Sequence, residues 1–323
     1  FLSYVNEKTI VASLMWGNNE TGVIQPIKKL SKSIKSLNST TLFHSDVVQG
    51  IISENINFHN SGIESAAISA HKIGGPKGVG AMFINSKYKL PSFLHGGKQE
   101  LERRAGTVDV PGIASFAAAL EEQQHKFDDE VGMMKEERDI FENKLKNSLE
   151  VVIVGDSIDR LPHISNIQFA DINSEVLLIE LDLNGLGVSR GSACASGAQK
   201  PSHVLKAMNV DEKFINNHLR FSFGWSNQKG DGSKAADIVI KALGFDPEDL
   251  PNLFDSSELQ VTKWGTIKTD FDTMETNIKG VFAAGDIVRG ASLVVWAIKD
   301  GRDAAASIKT YLESKSKVEK RVA

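Results

Sequence analysis

The chain has 323 residues, 41% apolar and 24% charged, a composition that suits a globular protein with a sizeable buried core. Its 37 basic and 41 acidic residues leave a net charge of −4, which argues against the basic stripe of a nucleic-acid-binding domain. No apolar run reaches bilayer-spanning length and no basic-then-apolar leader is present, so a cytoplasmic protein with no membrane partner is expected. A single cysteine, Cys194, excludes an intrachain disulfide and a cysteine-rich metal site, and no metal is expected. The sequence starts at Phe1, without Met and close to patterned sequence, and reads as lacking an N-terminal part.

Thr9 to Trp16 is a β-branched apolar run that predicts a strand. Pro26 opens a segment in which Ile27, Leu30, Ile34 and Leu37 share one face of a helix. Strands follow at Thr40 to His44, Ala66 to Ser69 and Val79 to Ile84, and the strand–helix alternation predicts an α/β unit with a largely parallel sheet. Ala114 to Leu149 is helical by composition, with a break expected near Gly132. Strands at Val151 to Val154 and Ile164 to Phe169 and a helix at Ser174 to Leu183 come next. Gln228 to Ser233 reads as a loop. Near the end, a strand at Gly280 to Ala284 leads through Gly285 and Asp286 into a long helix. The expected division is 1–125, 126–235 and 236–323.

Asp46 and Gln49 follow one early strand, and Ser69, His71 and Lys72 follow another. Ligands of open α/β sheets sit beyond the carboxyl ends of the strands, so one ligand could meet all five side chains. An ordinary strand exit with solvated polar residues is the competing reading. A P-loop fits poorly, because Gly78 follows Lys77 where a hydroxyl residue is needed. A dinucleotide fingerprint starting at Gly185-Leu186-Gly187 fails at Arg190. Cys194 stands among small residues and glycines with no apolar period, which predicts an exposed loop in place of a core strand. Arg220 lies in the apolar run Leu219 to Phe223, where a buried guanidinium wants a carboxylate partner or a structural ion pair.

Asn18-Asn19-Glu20-Thr21-Gly22, His44-Ser45-Asp46-Val47-Val48-Gln49 and Ser69-Ala70-His71-Lys72 occur in the order found in cysteine desulfurases. So do Gly96 to Glu100, Arg104 to Thr107 and Ser189 to Gly197. Over about residues 1–235 the chain therefore resembles this class V aminotransferase family of pyridoxal-phosphate enzymes. The resemblance implies a fold-type I transferase with an incomplete large domain and a small domain. It implies that Lys72 carries the cofactor and that Cys194 takes sulfur from L-cysteine as a persulfide, releasing L-alanine. Asp46 would pair with the pyridine nitrogen, Asn19 and Gln49 with the ring hydroxyl, Ser69 and His71 with the phosphate. Thr107 would reach the phosphate of a neighbouring subunit, which implies a homodimer. Arg220 would hold the substrate carboxylate. The sulfur would pass to an acceptor or scaffold protein for iron–sulfur cluster or thio-cofactor assembly. A selenocysteine lyase and an inactive chimeric fragment are the alternatives within this reading. The family's phosphate turn and ring-stacking histidine are not found here, so weak cofactor binding is expected.

Beyond about residue 236 the resemblance changes. Trp264-Gly265-Thr266-Ile267 and Gly280-Val281-Phe282-Ala283-Ala284-Gly285-Asp286 resemble the end of the glutamate synthase small chain, an FAD- and NAD(P)-binding oxidoreductase. This implies a Rossmann-like remnant in which Gly285 and Asp286 stand where the family meets FAD. With no Gly-x-Gly-x-x-Gly in the chain, FAD itself is not expected to bind, and a flavin-dependent oxidoreductase is the weaker functional alternative.

Overall fold

The computed structural model describes all residues except 171, 173, 192–201, 244–248, 264, 291–293 and 323, together with the side chains of 212, 213, 294 and 316–322. The chain forms two compact units, residues 1–174 with 188–236 and residues 175–187 with 237–323. No described helix is long and apolar enough to cross a membrane.

The first unit holds two sheets. In one, β1 (Val11–Met15), β2 (Leu42–Asp46), β3 (Ser65–Ser69) and β4 (Gly80–Ile84) lie side by side in chain order. β1, β2 and β3 are parallel, with Met15 opposite Asp46 and Asp46 opposite Ala67, while β4 runs antiparallel at the edge. The largely parallel sheet expected from the alternation is thus present. The helix Ile27–Leu37 connects β1 to β2 and buries Ile27, Ser31 and Ile34, while Leu37 at its end faces solvent. Ile27 and Ile34 join Ala12, Phe43, Val47, Ile63, Ala66 and Ile68 in one apolar core. Full burial of each large aliphatic side chain stabilises the fold by about 1.5–3 kcal/mol.

The second sheet is antiparallel: β5 (Val151–Ile153), β6 (Ile164–Phe169) and β7 (His218–Ser222). Every residue of β6 is buried, as suits a central strand covered on both faces. Phe141, from the helix Val110–Ser148, packs its ring 4.7 Å from that of Phe221 and 5.8 Å from that of Phe223.

That helix is 39 residues long and continuous across residue 126. It starts before Ala114 because Asp109 caps it, accepting from the Gly112 amide at 3.0 Å, with Pro111 in the first turn. The expected break at Gly132 does not form. Gly132 is exposed, and a helical glycine costs only about 1 kcal/mol, a penalty that the buried Met134, Glu137, Arg138 and Phe141 just beyond it outweigh.

The segment 228–233, expected as a loop, contains the start of the helix Asp231–Leu243. Its cause lies in the long helix. Glu137, 1% exposed, accepts from the amides of Gly230 at 2.8 Å and Gly232 at 2.7 Å, so a buried carboxylate satisfies the open donors. A side chain on Gly232 would collide with the Glu137 carbonyl, so this glycine permits the approach. In the second unit, the strand expected at Gly280 to Ala284 is reduced to an isolated bridge between Glu275 and Phe282. Gly280 and Gly285 both adopt positive φ, +84° and +83°, and turn the chain at either end before a ladder can build. The helix Val294–Val322 closes the unit.

Glu142 and Arg160 make a bidentate pair at 2.8 Å and 2.8 Å with both side chains 6% exposed. Removing Glu142 leaves the Arg160 side chain with the more distant, half-exposed Asp156 at 3.6 Å, and removing Arg160 strands the Glu142 charge. Glu142→Ala should lower the stability of the first unit by about 3–5 kcal/mol in urea unfolding, and the paired change Glu142→Met with Arg160→Met should recover most of the loss. A loss below about 1 kcal/mol would show the pair to be solvated.

Candidate functional site

Because β1, β2 and β3 are parallel, their carboxyl ends lie at one edge of the sheet, and each end is followed by a turn that carries candidate residues. After β1, the Asn18 carboxamide oxygen accepts from the amides of Glu20 and Thr21, both at 2.9 Å. Gly22 closes the turn at φ +77°, with the Ile164 side chain too near for a larger residue. This turn holds Asn19 in place, and the Asn19 carbonyl accepts from Nη1 of Arg220 at 2.9 Å. After β2 come Asp46, whose carboxylate accepts from the Val48 amide at 2.9 Å, and the single turn Gly50–Ile52. Gln123 of the long helix ties that turn down through the carbonyls of Ile51 and Ile52, at 2.7 Å and 3.1 Å. After β3, Ser69 and His71 bond to each other at 2.8 Å, and Lys72 sits in the turn Ala70–Ile73, ended by Gly74 at φ +82°.

Asn19, Gln49, Lys72 and Arg220 line one cavity of about 490 Å³, together with His163 and Trp225. Such a volume suits a small cofactor or substrate. Asp46, Ser69 and His71 stand at the same sheet edge but outside the lining of this cavity, and Thr107 is exposed. Cys194 lies outside the described residues. The segment leading to it is anchored by Ser189, which exchanges two backbone hydrogen bonds with Arg220 at 3.1 Å and 2.7 Å. In the second unit, Gly285 precedes the one-turn helix Asp286–Arg289, and Asp286 is exposed.

Arg220 is more than a spacer in the wall. Burial draws its guanidinium below the usual arginine value, against the pull of the Glu20 carboxylate. Its Nε is buried and has no hydrogen-bond partner among the described residues, while Nη1 and Nη2 reach only the Asn19 carbonyl and the Ser189 hydroxyl. A half-buried guanidinium in the cavity wall, with neutral partners at both Nη atoms, fits an anionic ligand. With the Lys72 amine and the Gln49 carboxamide in the same wall, the residues present fit pyridoxal phosphate.

Sequence reasoning missed His163. It is 4% exposed, and its ring reaches Ser53 Oγ at 3.0 Å through Nδ1 and Gln49 Oε1 at 3.2 Å through Nε2. Burial, with the charges of Lys72, Arg220 and Arg138, pushes its pKa down to about 3. His218 is also structural and buried: its Nδ1 lies 3.2 Å from Asn166 Nδ2, and burial with the Arg190 charge lowers its pKa to about 4. No pattern flags either residue, because a lone histidine beside a strand carries no period or spacing.

The family model for Aminotransferase class-V matches residues 1–232. The chain belongs to the class-V aminotransferase family. Among its relatives in this family is the cysteine desulfurase IscS of Dictyoglomus turgidum, 39% identical over 240 residues, 74% of this chain and 60% of that protein. A solved NifS-like protein superimposes with a TM-score of 0.68 at 30% identity, covering 75% of this chain and 63% of the other. The NifS-like protein of Rickettsia africae gives 0.66 at 30% identity, covering 79% and 64%. The chain thus spans about 60% of the length of the relatives it matches. These likenesses show the fold-type I pyridoxal-phosphate architecture expected for the first part. A second family model, Pyridine nucleotide-disulphide oxidoreductase, matches residues 167–301 and bears out the Rossmann-like character expected near the C-terminus. In the stretch common to both matches, β6 and β7 pair with each other as part of the antiparallel sheet of the first unit.

The two buried histidines set an acid limit. Each stays neutral in the fold and takes up a proton on unfolding, so the unfolded state binds more protons below pH 6.5. Their contribution is complete above that pH and falls by about 1.4 kcal/mol per pH unit for each ring, down to about pH 4 for His218 and about pH 3 for His163. Urea midpoints measured from neutral pH downward should fall accordingly, and His163→Gln with His218→Gln should flatten the slope. An unchanged slope would assign the acid sensitivity to carboxylates.

Proposed function

We propose that this chain carries the site of a cysteine desulfurase. The observation that carries the reading is the convergence of Lys72, Gln49, Asn19 and Arg220, from four separate segments, on one cavity. Lys72 is the residue that attaches pyridoxal phosphate. When bound, the cofactor supplies an electron sink for the bonding pair released at the substrate α-carbon. Asp46 holds the proton on the ring nitrogen, Asn19 and Gln49 bond the ring oxygen, and Ser69 with His71 takes the phosphate. Arg220 pairs with the substrate carboxylate, a role that its place in the cavity wall supports. Thr107 reaches the phosphate of a second copy, so the enzyme works as a homodimer in the cytoplasm.

The sulfur step falls to Cys194. Its thiolate attacks the sulfur of the bound L-cysteine; an S–S bond forms and the C–S bond breaks. The electron pair of the broken C–S bond stays on the substrate β-carbon and is taken up by a proton, while Lys72 would move the proton at the α-carbon, so that L-alanine leaves. A thiolate is needed, because an ordinary thiol with a pKa near ~8.5 is a weak nucleophile at neutral pH. Cys194 follows Ser189 by five residues, and Ser189 is bonded to the backbone of the arginine that holds the substrate. The persulfide then passes to an acceptor or scaffold protein for iron–sulfur cluster or thio-cofactor assembly. The division into a cofactor-binding part (1–125), a small part with the cysteine (126–235) and a C-terminal remnant (236–323) belongs to the same proposal. For the remnant we propose no FAD: the chain has no Gly-x-Gly-x-x-Gly, and Gly285 and Asp286 stand on a helix of one turn.

Adding pyridoxal phosphate to the purified chain should produce the absorbance of a lysine-bound cofactor, and Lys72→Ala should abolish that band. A band that survives in Lys72→Ala would remove this lysine from the site. Cys194→Ser should keep the band and still bind L-cysteine, yet form no persulfide and release no sulfur, since a hydroxyl is a far poorer nucleophile toward sulfur. Sulfide release from the unchanged chain without any protein persulfide would point to a lyase instead.

A further inference from the structure

His163 stands on the second sheet side of the cavity, in the chain just ahead of β6, yet both of its ring nitrogens engage the turn that follows β2. Nε2 lies 3.2 Å from Oε1 of Gln49, and Nδ1 lies 3.0 Å from Oγ of Ser53. The two contacts straddle the single turn Gly50–Ile52, and Ser53 is itself buried. From the other side the backbone is fixed, because the His163 carbonyl accepts from the Phe223 amide at 3.0 Å. We propose that His163 is a positioning residue that donates from Nε2 to Oε1 of Gln49, leaving the Gln49 carboxamide nitrogen as the group offered to the cavity beside Lys72. This deepens the reading given above, and rests on it for the identity of the ligand.

The two ends of a carboxamide differ in hydrogen-bonding character. One end only accepts and the other only donates, so the side chain presents opposite characters according to which way it is turned. With Oε1 against His163, Gln49 offers an N–H donor, which attracts an oxygen with anionic character such as that on the cofactor ring. Turned over, it would offer a carbonyl oxygen and repel the same atom. An accepting oxygen at Gln49 demands a proton on Nε2. A neutral ring has only that one proton, so Nδ1 accepts from the Ser53 hydroxyl. Neutrality itself is assured by the surroundings. The ring is buried, and the charges that act on it, from Lys72, Arg220 and Arg138, are all positive and all oppose protonation. The donor at Nε2 therefore persists across the working pH range. A histidine that merely filled space would need neither contact, and one that served only the turn would need only the bond to Ser53.

Two substitutions separate these roles. A glutamine nitrogen falls near the place of the imidazole Nε2, whereas an asparagine falls near Nδ1 and keeps only the Ser53 contact. Pyridoxal phosphate is titrated into the full chain and its variants by absorbance. His163→Leu and His163→Asn should each weaken binding about tenfold, and His163→Gln should return it to within about threefold of the unchanged chain. Acting through Gln49, the loss should vanish in the Gln49→Leu background, so that Gln49→Leu with His163→Leu binds no worse than Gln49→Leu alone. Losses that multiply in the double variant, or equal binding by the Asn and Gln variants, would overturn the proposal. Should His163→Leu fail to fold, judged by its far-ultraviolet dichroism, the Asn and Gln variants decide. Independently, nitrogen-15 imidazole spectra of the unliganded chain should show a neutral Nε2–H ring at His163 between about pH 5 and 8. A proton on Nδ1, or a ring that titrates in that range, would overturn the proposal whether or not the cofactor binds. Absence of any binding by the unchanged chain would instead sink the desulfurase reading, with the spectra still deciding how Gln49 is turned.

Discussion

Three charged residues of one helix face, Glu137, Arg138 and Glu142, are buried, and the first unit is organised by how they are satisfied. Glu137 receives the two glycine amides at the start of the helix Asp231–Leu243. Arg138 donates to the Leu161 carbonyl at 3.3 Å, and Glu142 takes both Nη atoms of Arg160. Buried charges left unpaired would cost several kcal/mol each, so these contacts fix position as well as contributing stability. Arg160 and Leu161 lie just ahead of His163, the residue that matters to the cavity, with Pro162 between. With both held against the helix, the chain delivers His163 to Gln49 and Ser53 and then enters β6. The helix thus sets the cavity wall at one remove, through a turn pinned by charge on one side and an imidazole on the other. Its reach extends further along the chain: Gln123 fixes the Gly50–Ile52 turn directly.

What could be read from the sequence follows from which signals are local. Apolar runs of strand length separated by an apolar helical stripe made the succession of β1 to β4 legible, because the helix shows its buried face through its period. Parallel pairing then brings Asn19, Gln49 and Lys72 to one edge without any knowledge of side-chain contacts. Arg220 was legible for another reason: a guanidinium between leucine and phenylalanine calls for a partner. The errors have the opposite origin. Gly132 carries a local helix penalty, but its neighbours bury side chains against distant elements and outweigh it. The glycine-rich start of Asp231–Leu243 reads as a loop until Glu137, more than ninety residues earlier in the chain, supplies the missing acceptor. His163 is illegible for the same reason. Its meaning lies wholly in partners more than a hundred residues away.

Gly230 and Gly232 invite comparison with glycines that let a phosphate approach a helix start. Here the approach is real but the anion is internal, since the Glu137 carboxylate already occupies the amides. The C-terminal match shows the complementary case. Gly285 has the positive φ that its position needs, and Arg289 holds the fully buried Asp300 at 2.5 Å and 2.7 Å. Those contacts give the second unit local order of its own. The likeness there is carried by a family pattern, whereas the likeness of the first unit is carried by pattern and superposition together.

The cavity wall carries Lys72, Lys126 and Arg220 against Glu122 and Glu130, a mixed lining with a slight positive excess. Arg220 is half-buried with neutral partners at its Nη atoms, Lys72 shares the wall, and burial opposes both the Arg220 charge and any charge on His163. A charged imidazole beside Lys72 and Arg220 would add repulsion at the reduced dielectric of a half-buried site. The fold avoids this by keeping the imidazole neutral, so that it works as a hydrogen-bond donor and acceptor without adding charge. Neutrality at His163 and cationic character at Arg220 are therefore two sides of one arrangement. The proton that the imidazole declines would raise the cost of holding the guanidinium, and the guanidinium in turn helps to keep that proton off. Both groups share the cavity wall with the Gln49 carboxamide, which His163 holds at 3.2 Å.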